Sequence, residues 1–313
     1  MKALALKLLG ALLFLTALAM WMSRAPDWPV EALVARWAPP PSDFIDVKGQ
    51  LVHLRDIGPR DDPMPLVLLH GTGASLHTWE GWVAALRARH RIITLDLPGF
   101  GLTGPNASGD YRGDTHARFV LDVMDQLRVT RFAVGGNSLG GEVAWRIALL
   151  APERVAKLIL VDAAGQAFEP QSVPIGFLVA NVPLLNRVFE WVLPRPLVVA
   201  SVHNVYGDPA RVDDALVDRY QQLMLREGNR RALVQRFQQN QRGADADHIR
   251  EINVPTLILW GGRDRLIPPE VGRRFKSDIA GSELVIFDDL GHVPQEEDPQ
   301  RTVKAVQAFL QQP

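Results

Sequence analysis

Six short aliphatic runs alternate along the chain with segments whose apolar residues recur at helical spacing. The runs are Leu66 to Leu69, Arg91 to Leu95, Arg131 to Val134, Lys157 to Val161, Thr256 to Trp260 and Glu283 to Phe287. Runs this short and this continuously apolar suit strands buried on both faces. Strands that alternate with helices assemble into a mostly parallel sheet covered by helices on both sides. The helical segments are Trp79 to Arg89, Thr115 to Leu127, Glu142 to Leu150, Pro269 to Ile279 and Pro299 to Leu310, and Phe44 to Val47 with Gln50 to Asp56 reads as a leading strand pair. The alternation breaks once, from Gln166 to Asn253, where Pro170, Pro174, Pro183, Pro194 and Pro196 punctuate helical pieces. That stretch, 166–253, reads as a helical insertion into a sheet domain made of 42–165 and 254–313. Its first half is strongly apolar and is expected to cover a cleft. Its second half, Arg211 to Arg242, is polar and Gln-rich, so its arginines are expected to form a solvated face.

The 313 residues are 47% hydrophobic and carry 34 Lys and Arg against 35 Asp and Glu, a formal net charge of -1. Such a chain can bury a large core and has no global field to attract nucleic acid, so no nucleic-acid partner is expected. The absence of cysteine excludes disulfides, thiolate metal sites and cysteine nucleophiles. The amino terminus departs from this average. Lys2 and Lys7 precede an uncharged, largely apolar run from Leu8 to Met22. Residues 1–24 therefore read as a signal peptide, with Ala17-Leu18-Ala19 as a cleavage stretch, or as a membrane anchor, since counting back to Ala3 approaches the ~17–25 residues a spanning helix needs. Either reading places the folded part outside the cytoplasm: anchored to the inner membrane and facing the periplasm, or exported if the leader is cleaved. Pro26, Pro29 and Pro39-Pro40-Pro41 mark residues 25–41 as a proline-rich linker.

Gly136-Asn137-Ser138-Leu139-Gly140 follows the run Arg131 to Val134 and opens the next helix. This is the context of a nucleophile elbow, a turn tight enough to need small residues two places either side of the serine. At such a helix start the N–H of Leu139 can stabilise an oxyanion. A serine hydroxyl needs a base to take its proton and a carboxylate to orient that base. Asp264, after Thr256 to Trp260, and His292, after Glu283 to Phe287, supply both in the required order, while Asp162 at the end of Lys157 to Val161 is a rival acid. His70-Gly71-Thr72-Gly73 closes the run Leu66 to Leu69, so Thr72, with Gly73 next, is the candidate second oxyanion donor and His70 a structural residue. Gly99-Phe100-Gly101-Leu102-Thr103-Gly104 has dinucleotide-site spacing, but Pro105, Asn106 and Ser108 continue a loop where such a site needs a helix. No cofactor and no metal are expected.

Taken together, His70-Gly71-Thr72-Gly73, Asp96-Leu97-Pro98-Gly99-Phe100-Gly101, the segment around Ser138, Asp264 and Gly291-His292 resemble the α/β-hydrolase family over about Phe44 to Leu310. The resemblance implies an α/β fold with an eight-stranded, mostly parallel sheet and a helical cap inserted after strand six. It implies a catalytic triad of Ser138, Asp264 and His292, an oxyanion hole from Thr72, Leu139 and Gly73, and no aspartate nucleophile of the dehalogenase or epoxide hydrolase kind. The default reaction is hydrolysis of a small-molecule carboxylic ester with an apolar acyl or alcohol group, for which Phe177, Leu185 and Trp191 of the cap are the candidate substrate-binding residues. Asn137 before the serine resembles the carbon-carbon hydrolases that act on ring-fission (meta-cleavage) products. Those typically carry tryptophan after the histidine, and Val293 stands there. Lyases, haloperoxidases, acyltransferases and a non-catalytic binding protein on this fold share enough of the pattern to stay open.

Overall fold

The computed structural model describes the chain from Lys2 to Gln312 apart from Leu184, and apart from the side chains of Lys2, Ala3, Ala5, Ala19, Met20 and Met22. The side chains of Lys2 of the expected charged end and of Ala19 of the expected cleavage stretch, and the whole of Leu184 in the cap, thus lie outside the described residues.

The strands are β1 Ser42–Val47, β2 Gln50–Ile57, β3 Leu66–Leu69, β4 Ile92–Leu95, β5 Phe132–Asn137, β6 Val155–Val161, β7 Thr256–Gly261 and β8 Glu283–Phe287. They form one eight-stranded sheet in the order β1-β2-β4-β3-β5-β6-β7-β8. β2 runs antiparallel to both β1 and β4, and every other pairing is parallel. All residues of β3, β4, β5, β6 and β7 are buried, which is why these segments read as unbroken apolar runs rather than as alternating ones. Helices α3 Glu80–Leu86, α4 Gly113–Gln126, α5 Leu139–Leu150, α11 Pro269–Asp278 and α13 Pro299–Gln311 connect or follow them. Val123, Val143 and Phe275 of α4, α5 and α11 pack in one core cluster, while Trp82, Leu86 and Val306 of α3 and α13 pack in another. Both faces of the sheet are covered, as expected.

Between β6 and β7 lie α6 Ile175–Asn181, α7 Leu185–Phe189, α8 Arg195–Val205, α9 Asp214–Met224 and α10 Asn229–Gln239. This is the helical insertion, after the sixth strand. Its polar second half departs from expectation, because α10 buries Arg230, Leu233 and Arg236. The arginines of that helix are therefore not simply a solvated face.

The amino-terminal helix, α1, spans Lys2–Met22, and its leucines, such as Leu8, Leu12 and Leu15, are exposed. Among the described residues no helix is long and apolar enough to cross a membrane, and side chains near both ends of α1 lie outside them.

Residues 25–41 are not the bare spacer that their prolines suggested. Pro29 occupies the N-cap position of α2, Val30–Trp37, so the prolines flank this helix instead of interrupting it. Leu33 is 1% exposed and packs with Leu102 and Leu223. Arg36 pairs with Asp218 at 3.0 Å, Trp37 Nε1 donates to Gln222 Oε1 at 3.0 Å, and Arg230 Nη2 donates to Asp27 Oδ1 at 2.6 Å. The segment clamps cap and core. Leu33→Ala is expected to lower stability by about 2–4 kcal/mol, read from urea unfolding of the full-length protein. A chain starting at Ser42 should unfold at lower urea than one starting at Ala25.

Candidate active site

Ser138 sits between β5 and α5 with φ 54° and ψ -115°, a backbone conformation that side chains other than glycine rarely adopt. Its peptide is pinned on both sides: its N–H donates to Val161 O at 3.0 Å, and its carbonyl accepts from Glu142 N and Ala164 N at 3.0 Å each. The two glycines of the motif have a steric cause. A Cβ on Gly136 would stand 2.0 Å from Gly140 O, and one on Gly140 would stand 2.1 Å from Leu69 O. Strand, turn and helix are thus pressed together until only glycine fits. The hydroxyl is presented at the carboxyl ends of the parallel strands.

His292 is held at that end by its backbone, which donates to Val205 O at 2.7 Å. Its Nδ1 meets Asp264 Oδ2 at 2.6 Å, and the other oxygen of Asp264 accepts from Leu266 N at 2.8 Å and Ile267 N at 2.9 Å. With Nδ1 turned to Asp264, Nε2 is the nitrogen left for a serine proton, and Ser138 and His292 line one chamber. The rival acid belongs to the same cluster: Asp162, Asp264 and His292 bring ligand atoms within 4.8 Å of one another. Asp162 is held differently. Burial and the neighbouring Asp264 charge push its carboxyl well above the usual carboxylate range, while Gly261 N donates to its Oδ1 at 2.9 Å. Asp162 Oδ2 is buried without a hydrogen-bond partner, and Asp264 is the carboxylate that faces the histidine.

Thr72 and Gly73 lie in the turn after β3, and Gly73 takes φ 76°. Thr72, Gly73, Ser138 and His292 line one chamber together, and Leu139, at the first position of α5, has an N–H for which the helix offers no acceptor one turn earlier. A Cβ on Gly71 would stand 3.1 Å from Ser138 Cβ, so this turn closes directly onto the elbow. His70 is a structural residue. Its Nε2 accepts from Leu97 N at 2.9 Å and its Nδ1 donates to Gly71 O at 2.8 Å, which makes it neutral, and burial lowers its pKa accordingly.

The chamber over Ser138 encloses about 90 Å³ and is walled by apolar cap side chains, among them Phe177, Phe189, Leu193, Val198 and Met224. Of the three cap residues selected from sequence, the structure brings Phe177 to the site and not the others. Leu185 is 47% and Trp191 61% exposed, and neither lines the chamber. Both sit on the outer side of the α6–α7 region, whose inner side is supplied by Phe177 and Phe189. Two braces were not anticipated. Asn137 Nδ2 donates to Val161 O at 3.2 Å and to His292 O at 2.9 Å, tying the elbow to the histidine loop. Glu297 accepts from Gly207 N at 3.0 Å, Asp208 N at 2.8 Å and Gly291 N at 2.8 Å, tying that loop to the cap. The pair Glu296-Glu297 close after the histidine was the available signal for the second.

The chain belongs to the α/β-hydrolase family: residues 64–299 match the family model described as the alpha/beta hydrolase fold. A curated relative from Escherichia coli, the 2-hydroxy-6-oxononadienedioate/2-hydroxy-6-oxononatrienedioate hydrolase, is 31% identical over 283 residues, covering 87% of this chain and 96% of the relative. Among solved structures, a meta-cleavage product hydrolase from Pseudomonas fluorescens is similar with TM-score 0.74 and 26% identity, covering 86% of this chain and 97% of that one. A membrane phospholipase A, described as a bacterial virulence factor, is similar with TM-score 0.71 and 25% identity, covering 99% of this chain and 98% of that one.

Proposed function

We propose that this α/β-hydrolase cleaves carboxylic esters with an apolar acyl group, using Ser138 as nucleophile, His292 as proton shuttle and Asp264 as the acid that orients it. The observation that carries the reading is the wall of the chamber: among the described residues its lining includes no Lys, Arg, Asp or Glu, and large apolar side chains face Ser138. An acyl chain gains there by leaving water, whereas a carboxylate would lose its hydration without a partner. His292 takes the proton of Ser138 as its Oγ attacks the ester carbonyl. The N–H groups of Thr72 and Leu139, with Gly73 adjacent, receive the oxyanion, the alcohol leaves with the proton, and water then releases the acyl group. Similarity over almost the whole chain to a membrane phospholipase A, an ester-cleaving enzyme, supports the reading.

A second reading, hydrolysis of a carbon-carbon bond in a ring-fission product, is favoured by the 31% identical relative. It fits the chamber less well, because the dioates in that relative's name are anionic at both ends and one end would lie against the apolar wall. Asn137, the residue that suggested it, has its amide engaged with the carbonyls of Val161 and His292. A panel of p-nitrophenyl esters of increasing chain length beside a dienone ring-fission substrate tests the choice. Esters should have the higher kcat/KM, and a clear preference for the dienone would overturn the ester reading. Phe177→Ala should move the chain-length optimum upward, since each methylene accommodated is worth about 1–3 kcal/mol.

We further propose that α1 anchors the protein in a bilayer with the catalytic domain on the non-cytoplasmic side. Supporting this, Trp21, Val188 and Trp191 line one exposed recess where α1 meets the cap, Ala25 N donates to Trp191 O at 2.9 Å, and the Arg24 guanidinium stands 5.7 Å from the Trp191 ring. Tryptophan and arginine beside an apolar helix end suit the lipid-water boundary. Fractionation with protease protection should recover the protein in membranes with the catalytic domain outside. Recovery as a soluble cytoplasmic protein with Met1 intact would contradict it.

A further inference from the structure

Helix α10 turns two guanidinium groups into the protein, and only one of them is satisfied. Arg230 Nη2 donates to Ala25 O at 2.7 Å and to Asp27 Oδ1 at 2.6 Å. Arg236 has a side chain 7% exposed, an Nε buried without a hydrogen-bond partner, and a carboxylate oxygen, Glu142 Oε2, at 3.8 Å from Nη2, beyond hydrogen-bond reach. A buried cation with unmade hydrogen bonds is strongly unfavourable unless an anion completes it.

A second cavity, of about 80 Å³, shows where that anion would sit. Arg146, Arg236, Arg242, Glu142 and Asp245 line it, and it reaches Ser138. Arg146 takes the closest hydrogen bonds of both carboxylates of the cavity: its Nε donates to Glu142 Oε1 at 3.1 Å and its Nη2 to Asp245 Oδ2 at 2.6 Å, while Nη1 reaches Asp114 at 2.7 Å, and only Glu142 Oε2, at 3.8 Å, is left toward Arg236. Three arginines against two carboxylates leave the lining of the cavity with a formal charge of +1, and the Arg242 guanidinium stands 5.3 Å from the Phe168 ring. The cavity and the apolar chamber share Thr72, Ser138, Phe177 and Leu266. An ester poised on Ser138 can thus place one half in each space: the acyl chain against the apolar wall, the alcohol half among the arginines.

We propose that the second cavity is a subsite for an oxyanion group, phosphate or carboxylate, carried by the alcohol half of the ester, with Arg236 its principal donor and Arg242 its outer one. Planar guanidinium groups match such oxyanions with paired hydrogen bonds. The inference rests on the ester reading and narrows it to amphiphilic esters, apolar at one end and anionic at the other.

The full-length protein in neutral detergent would be assayed on three dodecanoyl esters that differ only in the alcohol: glycerol, glycerol 3-phosphate and glyceric acid. The phosphate or the carboxylate ester should exceed the neutral one in kcat/KM by roughly tenfold or more, the scale of hydrogen bonds to a charged group, and which of the two leads identifies the oxyanion. In Arg236→Gln that ratio should collapse toward one, chiefly through KM, and Arg242→Gln should reduce it part of the way. Arg242 is exposed, so the second variant reports even if the first does not fold. Wild-type ratios near one for both anionic esters, or ratios untouched in Arg242→Gln and in a folded Arg236→Gln, would overturn the subsite. Should no ester be turned over at all, the ester reading fails separately. Protection of Ser138 from a fluorophosphonate by sn-glycerol 3-phosphate or glycerate, lost in the variants, would then still support the subsite, and its absence in wild type would reject it.

Discussion

Replacing Ser138 by alanine is expected to cost on the order of 10^5- to 10^6-fold in kcat on a p-nitrophenyl ester, with no loss of folded protein. The size follows from removing the atom that forms the covalent bond to the acyl group. The fold should survive because alanine has a Cβ like serine and so meets the same strain at φ 54° that the surrounding hydrogen bonds already impose. His292→Ala should be nearly as damaging, and the double variant little worse than either single one, because the two groups act as a unit. Steady-state assays with active-site titration, to exclude contaminating esterase, measure all three. A Ser138→Ala protein that keeps near wild-type turnover would remove the triad from the account.

The second large effect separates two carboxylates that lie in one cluster. Asp264→Asn should lower kcat about 10^4-fold, since an amide facing His292 Nδ1 no longer holds the ring with Nε2 free to accept the serine proton. Asp162→Asn should cost less than about tenfold, the scale of one altered neutral hydrogen bond. The reason is that Asp264 and not Asp162 bonds to His292, and an asparagine side-chain oxygen can still accept the hydrogen bond that Gly261 N gives to Asp162 Oδ1. Rate measurements on the two asparagine variants decide it, and the reverse ranking would make Asp162 the acid.

How much of this was legible beforehand differs from element to element for physical reasons. Strands β3 to β7 were readable because burial on both faces leaves an unbroken apolar run between turn residues. The elbow and Asp264 were readable because each follows such a strand, and His292 because it follows the partly buried β8, and a turn at a strand end has few ways to be built. Helix α2 is hidden in the sequence because prolines read as breakers, whereas here they stand outside Val30–Trp37 and one of them starts it. Apolarity in the cap told that Phe177, Leu185 and Trp191 were unsuited to full exposure in water, but not which neighbour each would meet. Only Phe177 turned inward to Ser138, and the other two stayed on the surface. Arg236 gave no signal at all, because a basic residue in a Gln-rich helix looks solvated until the cavity behind it is seen.

The central claim, that Ser138 is a nucleophile activated by His292 and Asp264, is tested most directly by labelling the full-length protein with a fluorophosphonate and mapping the adduct by peptide mass spectrometry. The account predicts one adduct per chain on Ser138, fast in wild type and in Asp162→Asn, and slowed by orders of magnitude in His292→Ala and Asp264→Asn. Failure of Ser138 to react, or an adduct on another residue while Ser138 stays unmodified, would contradict it.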